Sequence, residues 1–406
     1  MSGDWEVGES KSGMTEAFCP SLPDYRGGSI VNLMASLVVG AGGEPVAPYP
    51  TLGILPPEEL AAAKNIILLV VDGLGLDTLL RLGTGGSLHR HLVGNLTSVF
   101  PSTTASANTV FLTGQAPQQH GLTGWHMFFR EIGSILAVLP LIPRHGGPTL
   151  GQCGTNPTAL LQPQALSNRM ALDCHQIVPA YIVDSDFNRA YAGSARRYGY
   201  KNLDHCLRLV SDLVQLGRRR QFIHAYWPTL DATAHELGIG SRDAARCFDR
   251  LDAAFGRFLA GIAGHDSLVL VTADHGFVDS PPDRLIDLGD HPGLAETLIL
   301  PLCGERRLAY CYVHPDRLHA FEDYVAEHLS DKMALFPSRE LLAAGWFGLG
   351  EPNPRIKDRI GQYTLAMRDD WTLVDTLPGE KRHKLVGVHG GLSPAEMTVP
   401  LIVAKT

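Results

Sequence analysis

The chain has 406 residues, 45 % of them hydrophobic, with mean hydropathy near zero, which fits a globular protein of two or three domain-sized units or one large α/β domain with insertions. With 34 basic against 42 acidic residues its net charge is −8, which argues against a general binder of nucleic-acid duplexes or anionic membranes. The seven cysteines form no CxxC pair and read as free thiols, and the acidic start "MSGDWEVGESKSGMTEAFCP" has no signal-peptide pattern, so a cytoplasmic protein is expected.

Residues 1–25 read as a flexible tail. "SIVNLMASLVVG" reads as a helix, and with the following "AGG" it is too short and interrupted to span a membrane. In "NIILLVVDGLGLDTLL" a buried strand, 65–71, runs into Asp72 and then a helix near 75–82. A dinucleotide-binding turn would need a third glycine where Thr78 stands. "LTSVFPSTTASANTVFLTG" reads as strand, loop and a helix beginning in the Ser/Thr run, whose hydroxyls suit N-caps. Strand 221–227 leads into "DATAHELG", an apolar helical pattern covers "ARCFDRLDAAFGRFLAGIAG", and "DSLVLVTADHGF" is a strand ending in Asp274 and His275. The basic run "GRRR", 217–220, reads as a solvated helix end.

Alternating Val/Ile/Leu-rich strands and helices predict a mostly parallel central sheet flanked by helices. Residues 286–380 break that rhythm and read as an inserted α+β cap, with a helix near 316–330. The catalytic core is thus expected in two parts, 26–285 and 381–406, the second holding "GVHGG" and a last core strand.

Chemistry collects just after the buried strands: Asp72, the hydroxyls Ser102, Thr103 and Thr104, Asp231 with His235, Asp274 with His275, and His389. Singly each has a bland reading, since Asp before Gly forms turns and a lone His often only packs. Asp231 and His235, four apart, share one face of a helical turn. Gly276 lets the chain turn sharply so that Asp274 and His275 reach one centre. Three Asp and three His suit Zn²⁺, with Mn²⁺ or Fe as alternatives. They are too many for one zinc, and suit two metals about 3.5–4 Å apart, as in phosphoryl displacement.

In these motifs and their order the chain resembles the alkaline phosphatase superfamily, nucleotide pyrophosphatase/phosphodiesterase-like branch. The resemblance is carried by "LLVVDGLG", "VFPSTTASANTVFLTGQAPQQHGLTG", "DATAH", "TADHGF" and "GVHGG". It implies an alkaline phosphatase-like fold, one metal held by Asp72, Thr104, Asp274 and His275, and a second by Asp231, His235 and His389. The family nucleophile lies nine residues before the Thr of a Thr-Gly pair; counting back from Thr113 gives Thr104, with Thr103 the runner-up.

The sequence departs from the family at the Asn that binds a phosphoryl oxygen, 21 residues after the nucleophile, where Trp125 stands. Asn108, one helical turn past Thr104, and His126 and Arg130 are candidates to take its place. The sulfatase motif C/S-x-P-x-R is absent. The resemblance therefore implies a metal-dependent hydrolase of phosphodiesters or phosphoanhydrides, acting through a phosphothreonine on Thr104 and two zinc ions, on a small phosphate ester or nucleotide. A phosphomonoesterase or phosphonate hydrolase is the alternative, and a catalytically weak metal-bound binding protein the third reading. The oligomeric state has no signature in the sequence.

Overall fold

A computed structural model describes residues 18–44, 47–381 and 384–406. At its centre lies a seven-stranded sheet, in spatial order Leu92–Thr97, Thr398–Lys405, Ser267–Thr272, Asn65–Val71, Gln221–Trp227, Asp173–Pro179 and Arg196–Tyr200. The last five of these are mutually parallel, and Thr398–Lys405 runs antiparallel to both its neighbours. Asn65–Val71, Gln221–Trp227 and Ser267–Thr272 are buried along their whole length, which is why they read as continuous apolar runs rather than alternating ones. Helices cover the sheet. Among them Arg242–Gly261 turns Phe248, Leu251, Phe255 and Phe258 toward the main core.

Register decides where the chemistry sits. Val71 lies opposite Trp227, and Val70 opposite Thr272. Asp72, Asp274 and the turn leading to Asp231 therefore leave the sheet along one edge. That edge is the carboxyl end of the parallel strands, beside the strand on whose two sides the connections diverge. The helix Thr104–Thr113 begins over the same edge and ends at Gly114, whose φ of 71° makes a left-handed cap.

A second seven-stranded sheet runs in the order Met333–Pro337, Tyr363–Met367, Leu308–Cys311, Cys303–Gly304, His126–Phe129, Ser134–Ala137, Ile142–Pro143. It is antiparallel throughout. It draws on 126–143 as well as on the expected cap 286–380, so the cap is built from two distant stretches of chain. The cap helix is Leu318–His328.

Two sequence readings need correction. The tail 1–25 is not loose over its described part: Tyr25 is buried, Phe18 packs against Phe336 at 5.8 Å, and the Ser21 amide donates to Leu392 O at 2.8 Å. Residues 1–17 lie outside the described residues. In "GRRR", Arg218 and Arg219 are exposed, but Arg220 donates to Gly40 O and Leu60 O at 3.2 Å and to Ala63 O at 3.0 Å. It thus supplies donors to carbonyls where two other helices, Ile30–Gly40 and Pro57–Ala62, end. All seven cysteines are free thiols, and among the described residues no helix is long and apolar enough to cross a membrane.

Candidate active site

Asp72, Asp274 and His275 are buried side by side, with His275 Nε2 3.4 Å from Asp72 Oδ1 and 3.3 Å from Asp274 Oδ2. Asp231 Oδ1 lies 3.4 Å from His235 Nε2 and 3.7 Å from His389 Nε2, and the two imidazole Nε2 atoms are 3.2 Å apart. The His275 and His389 rings stack at 3.7 Å and join the two groups into one cluster. All six residues predicted as ligands therefore converge. Their grouping is tighter than expected, because Asp231 and His389 also come together with His275.

The local structure aims these side chains. Gly73, at φ 74°, donates its amide to Asp274 Oδ1 at 3.1 Å, and a side chain there would strike Phe277. The His275 amide donates to the same oxygen at 3.0 Å. Asp72 Oδ2 accepts the Tyr226 hydroxyl. Gly75 and Gly276 pack backbone on backbone, where a side chain on Gly276 would overlap Ala395 O. The glycines after Asp72 thus serve close packing and a turn, not a dinucleotide.

The donor set fits divalent cations on three counts. Each imidazole points Nδ1 at a backbone carbonyl: His275 at Gly276 O (3.1 Å), His235 at Gly387 O (2.9 Å) and His389 at Ser102 O (3.3 Å). That places the proton on Nδ1 and leaves the Nε2 lone pair facing the cluster, the tautomer of a metal ligand. Asp72 Oδ1, Asp231 Oδ1 and Asp274 Oδ2 are buried with no hydrogen-bond partner, an arrangement that costs free energy unless a cation meets them. Finally, burial and mutual repulsion among the carboxylates hold Asp72 and Asp231 well above the usual carboxylate range. Burial, with His275 and Arg306 adding against the Gly387 hydrogen bond, pushes His235 down to about 4; burial and the other two imidazoles hold His389 well below the usual range. The cluster is built for added positive charge.

Of the three hydroxyls, Thr104 alone touches the cluster, with Oγ1 3.0 Å from His275 Nε2. Ser102 donates to Gly391 O at 2.7 Å, and Thr103 donates to Glu305. The substituents proposed for the missing Asn fare differently. Trp125 is 38 % exposed, and its backbone amide donates to Glu305 Oε1 at 2.8 Å. Asn108 is half-buried one turn along the helix from Thr104. His126 sits on the cap strand His126–Phe129, where burial, then the charge of Arg144, pushes it down to about 4. Its charged neighbours, Arg144 and Glu380, lie outside the cluster. Arg130 is exposed and pairs with Asp358 at 3.2 Å.

Sequence reasoning missed Glu305 and Tyr226. Glu305 lies in an undistinguished "GERR" and reaches the site from the cap hairpin. Tyr226 sits inside a strand, and the one available signal was its distance of one residue from the strand end.

A mostly parallel sheet thus carries an Asp/His cluster and a hydroxyl at its carboxyl edge, the arrangement that the resemblance to the alkaline phosphatase superfamily implies. The family model for type I phosphodiesterase / nucleotide pyrophosphatase matches residues 66–140 and 148–392, and the chain belongs to that family. Among solved structures the murine ectonucleotide pyrophosphatase / phosphodiesterase 5 is similar in fold, with TM-score 0.62, 15 % identity, and 83 % of this chain and 87 % of that one covered. The human protein of that name matches with the same values. Phosphonoacetate hydrolase from Sinorhizobium meliloti matches at TM-score 0.57 and 19 % identity, covering 84 % of this chain and 90 % of that one. No curated protein matches the chain significantly.

Proposed function

We propose that the protein hydrolyses phosphodiester or phosphoanhydride bonds of small esters or nucleotides through a phosphothreonine on Thr104. The observation that carries this is the Thr104 hydroxyl 3.0 Å from His275 Nε2 in a cluster of three Asp and three His. Asp72, Asp274 and His275, with Thr104, would hold one divalent cation, and Asp231, His235 and His389 the other, zinc being the metal that best suits this donor set. When bound, the cations supply Lewis acidity that favours the Thr104 alkoxide and counter the charge of phosphate and leaving oxygen. Thr104 Oγ1 forms a bond to phosphorus as the opposite P–O bond breaks, and water then hydrolyses the phosphothreonine. The backbone carbonyls behind the three imidazoles keep their Nε2 atoms aimed, and the Tyr226 hydroxyl fixes the Asp72 carboxylate.

The half-exposed Trp125 ring offers a flat surface for an aromatic or nucleobase group of a diester. The second reading, a phosphomonoesterase or phosphonate hydrolase, is favoured by the fold shared with phosphonoacetate hydrolase. A panel on zinc-loaded protein separates the two: p-nitrophenyl phosphate, its bis and thymidine diester analogues, a dinucleoside pyrophosphate and a phosphonate. Higher kcat/KM for the diesters and the pyrophosphate is the expected result; a preference for the monoester or phosphonate replaces the first reading by the second.

A further inference from the structure

Glu305 is brought to the nucleophile turn by a piece of the cap. The strands Cys303–Gly304 and Leu308–Cys311 form a hairpin closed by Glu305 N to Leu308 O at 2.7 Å. Close approach at glycines seats that hairpin on the core. Gly124 packs on the Gly304 backbone, where an added Cβ would come within 2.7 Å of Gly304 Cα. Gly390, beside His389, packs on the Glu305 stem, where an added Cβ would stand 2.8 Å from its Cβ and Cγ. The buried Arg307–Glu396 ion pair, 3.0 Å, pins the turn from the other side. The Glu305 carboxylate then accepts the hydroxyl of Thr103, the residue before the nucleophile, and the amide of Trp125. Its charge also bears on Asp231 across the site.

A carboxylate has room for about four hydrogen bonds, so two donors do not exhaust it. Burial pushes the Glu305 carboxyl up to about 7 against the hydrogen bonds from Thr103 and Trp125, so it is fully ionised only above neutral pH. Ionised, it has no proton to give a phosphoryl oxygen, and a negative charge held against the residue before the nucleophile raises the energy of a dianionic phosphoryl group more than that of a monoanionic one.

We propose that Glu305 is a specificity-determining residue that disfavours a second phosphoryl charge, restricting the site to phosphorus esterified twice: phosphodiesters and the internal phosphoryl groups of nucleoside pyrophosphates. This rests on the hydrolase reading above and adds to it the class of substrate.

Glu305→Gln removes the charge and keeps an amide oxygen to accept from Thr103 and Trp125, and it leaves Arg306 in place. With zinc-loaded protein at about pH 8.5, where Glu305 is ionised, it should raise the kcat/KM ratio of p-nitrophenyl phosphate to bis(p-nitrophenyl) phosphate by about tenfold or more. Calorimetric affinity for inorganic phosphate, which reads dianion binding without turnover, should tighten by a similar factor. Thr103→Val removes the anchored donor but not the charge and should leave both quantities within about twofold. An unchanged ratio and unchanged phosphate affinity in Glu305→Gln overturn the inference, as does an equal rise in Thr103→Val. If the natural protein hydrolyses neither ester, the hydrolase reading fails instead, and the phosphate titration still decides the part played by Glu305.

Discussion

The Thr104 hydroxyl lies 3.0 Å from Nε2 of His275, while the other two hydroxyls of the run are engaged elsewhere, Ser102 on Gly391 O and Thr103 on Glu305. Thr104→Ala should therefore lower kcat on every ester by about a thousandfold or more, with metal content and melting temperature nearly unchanged. Thr103→Ala should cost much less, through the lost hydrogen bond to Glu305. Steady-state kinetics on the two variants check this, and a larger loss in Thr103→Ala would move the nucleophile by one residue.

Three partnerless carboxylate oxygens in one buried cluster predict that stability depends on metal. Protein stripped with a chelator should melt several degrees lower than zinc-loaded protein, since a hundredfold excess over Kd contributes about 2.7 kcal/mol per site. Asp231→Asn should abolish part of that difference. Thermal melts across a zinc titration test it; a stripped protein as stable as the loaded one would contradict the metal centre.

Tyr226 donates its hydroxyl to Asp72 and so orients the carboxylate. Tyr226→Phe should weaken zinc binding about tenfold or more, the usual cost of losing an outer hydrogen bond to a ligand. Competition against a chromophoric chelator measures this directly, and no change would make Tyr226 a packing residue.

Arg307 and Glu396 form a two-pronged ion pair, at 3.1 and 3.0 Å, between the cap hairpin and the short helix Pro394–Met397 that follows His389. Glu396 also accepts the Gly391 amide at 2.8 Å. Arg307→Met strands a buried charge and should cost about 3–5 kcal/mol in urea unfolding. Burial alone would raise the Glu396 carboxyl, but Arg307 and the hydrogen bonds from Ser393 and Gly391 hold it below its ordinary value. The sign follows. A carboxyl depressed in the fold stabilises fully above the unfolded value of about 4.3, and that contribution is lost as pH falls through the folded value. Melting temperature against pH should thus show a shallower acid limb in Glu396→Gln than in the natural protein.

Much of the site was written locally. Asp72, Asp231, His235, Asp274, His275 and His389 each follow a buried strand or open a turn, and such strands announce themselves as unbroken apolar runs. A parallel sheet then has no choice but to bring their carboxyl ends to one edge, so short motifs sufficed to predict a convergence over more than 300 residues of chain, from Asp72 to His389. The choice among Ser102, Thr103 and Thr104 was a matter of spacing, and the helix start at Thr104 supplies the geometry behind it.

The cap was another matter. Its sheet joins Gly304 to His126, and the pairing of strands so far apart depends on backbone hydrogen bonds that no local pattern encodes. Glu305 owes its place to that pairing and to the missing side chains of Gly124, Gly304 and Gly390. Arg220 likewise meets helix ends about 160 and 180 residues away rather than its own. By itself the sequence determined the Asp/His cluster, because residues at strand ends inherit their positions from the sheet. The tertiary structure alone decided what surrounds it, because a charge in a turn takes its role from whatever backbone it is packed against.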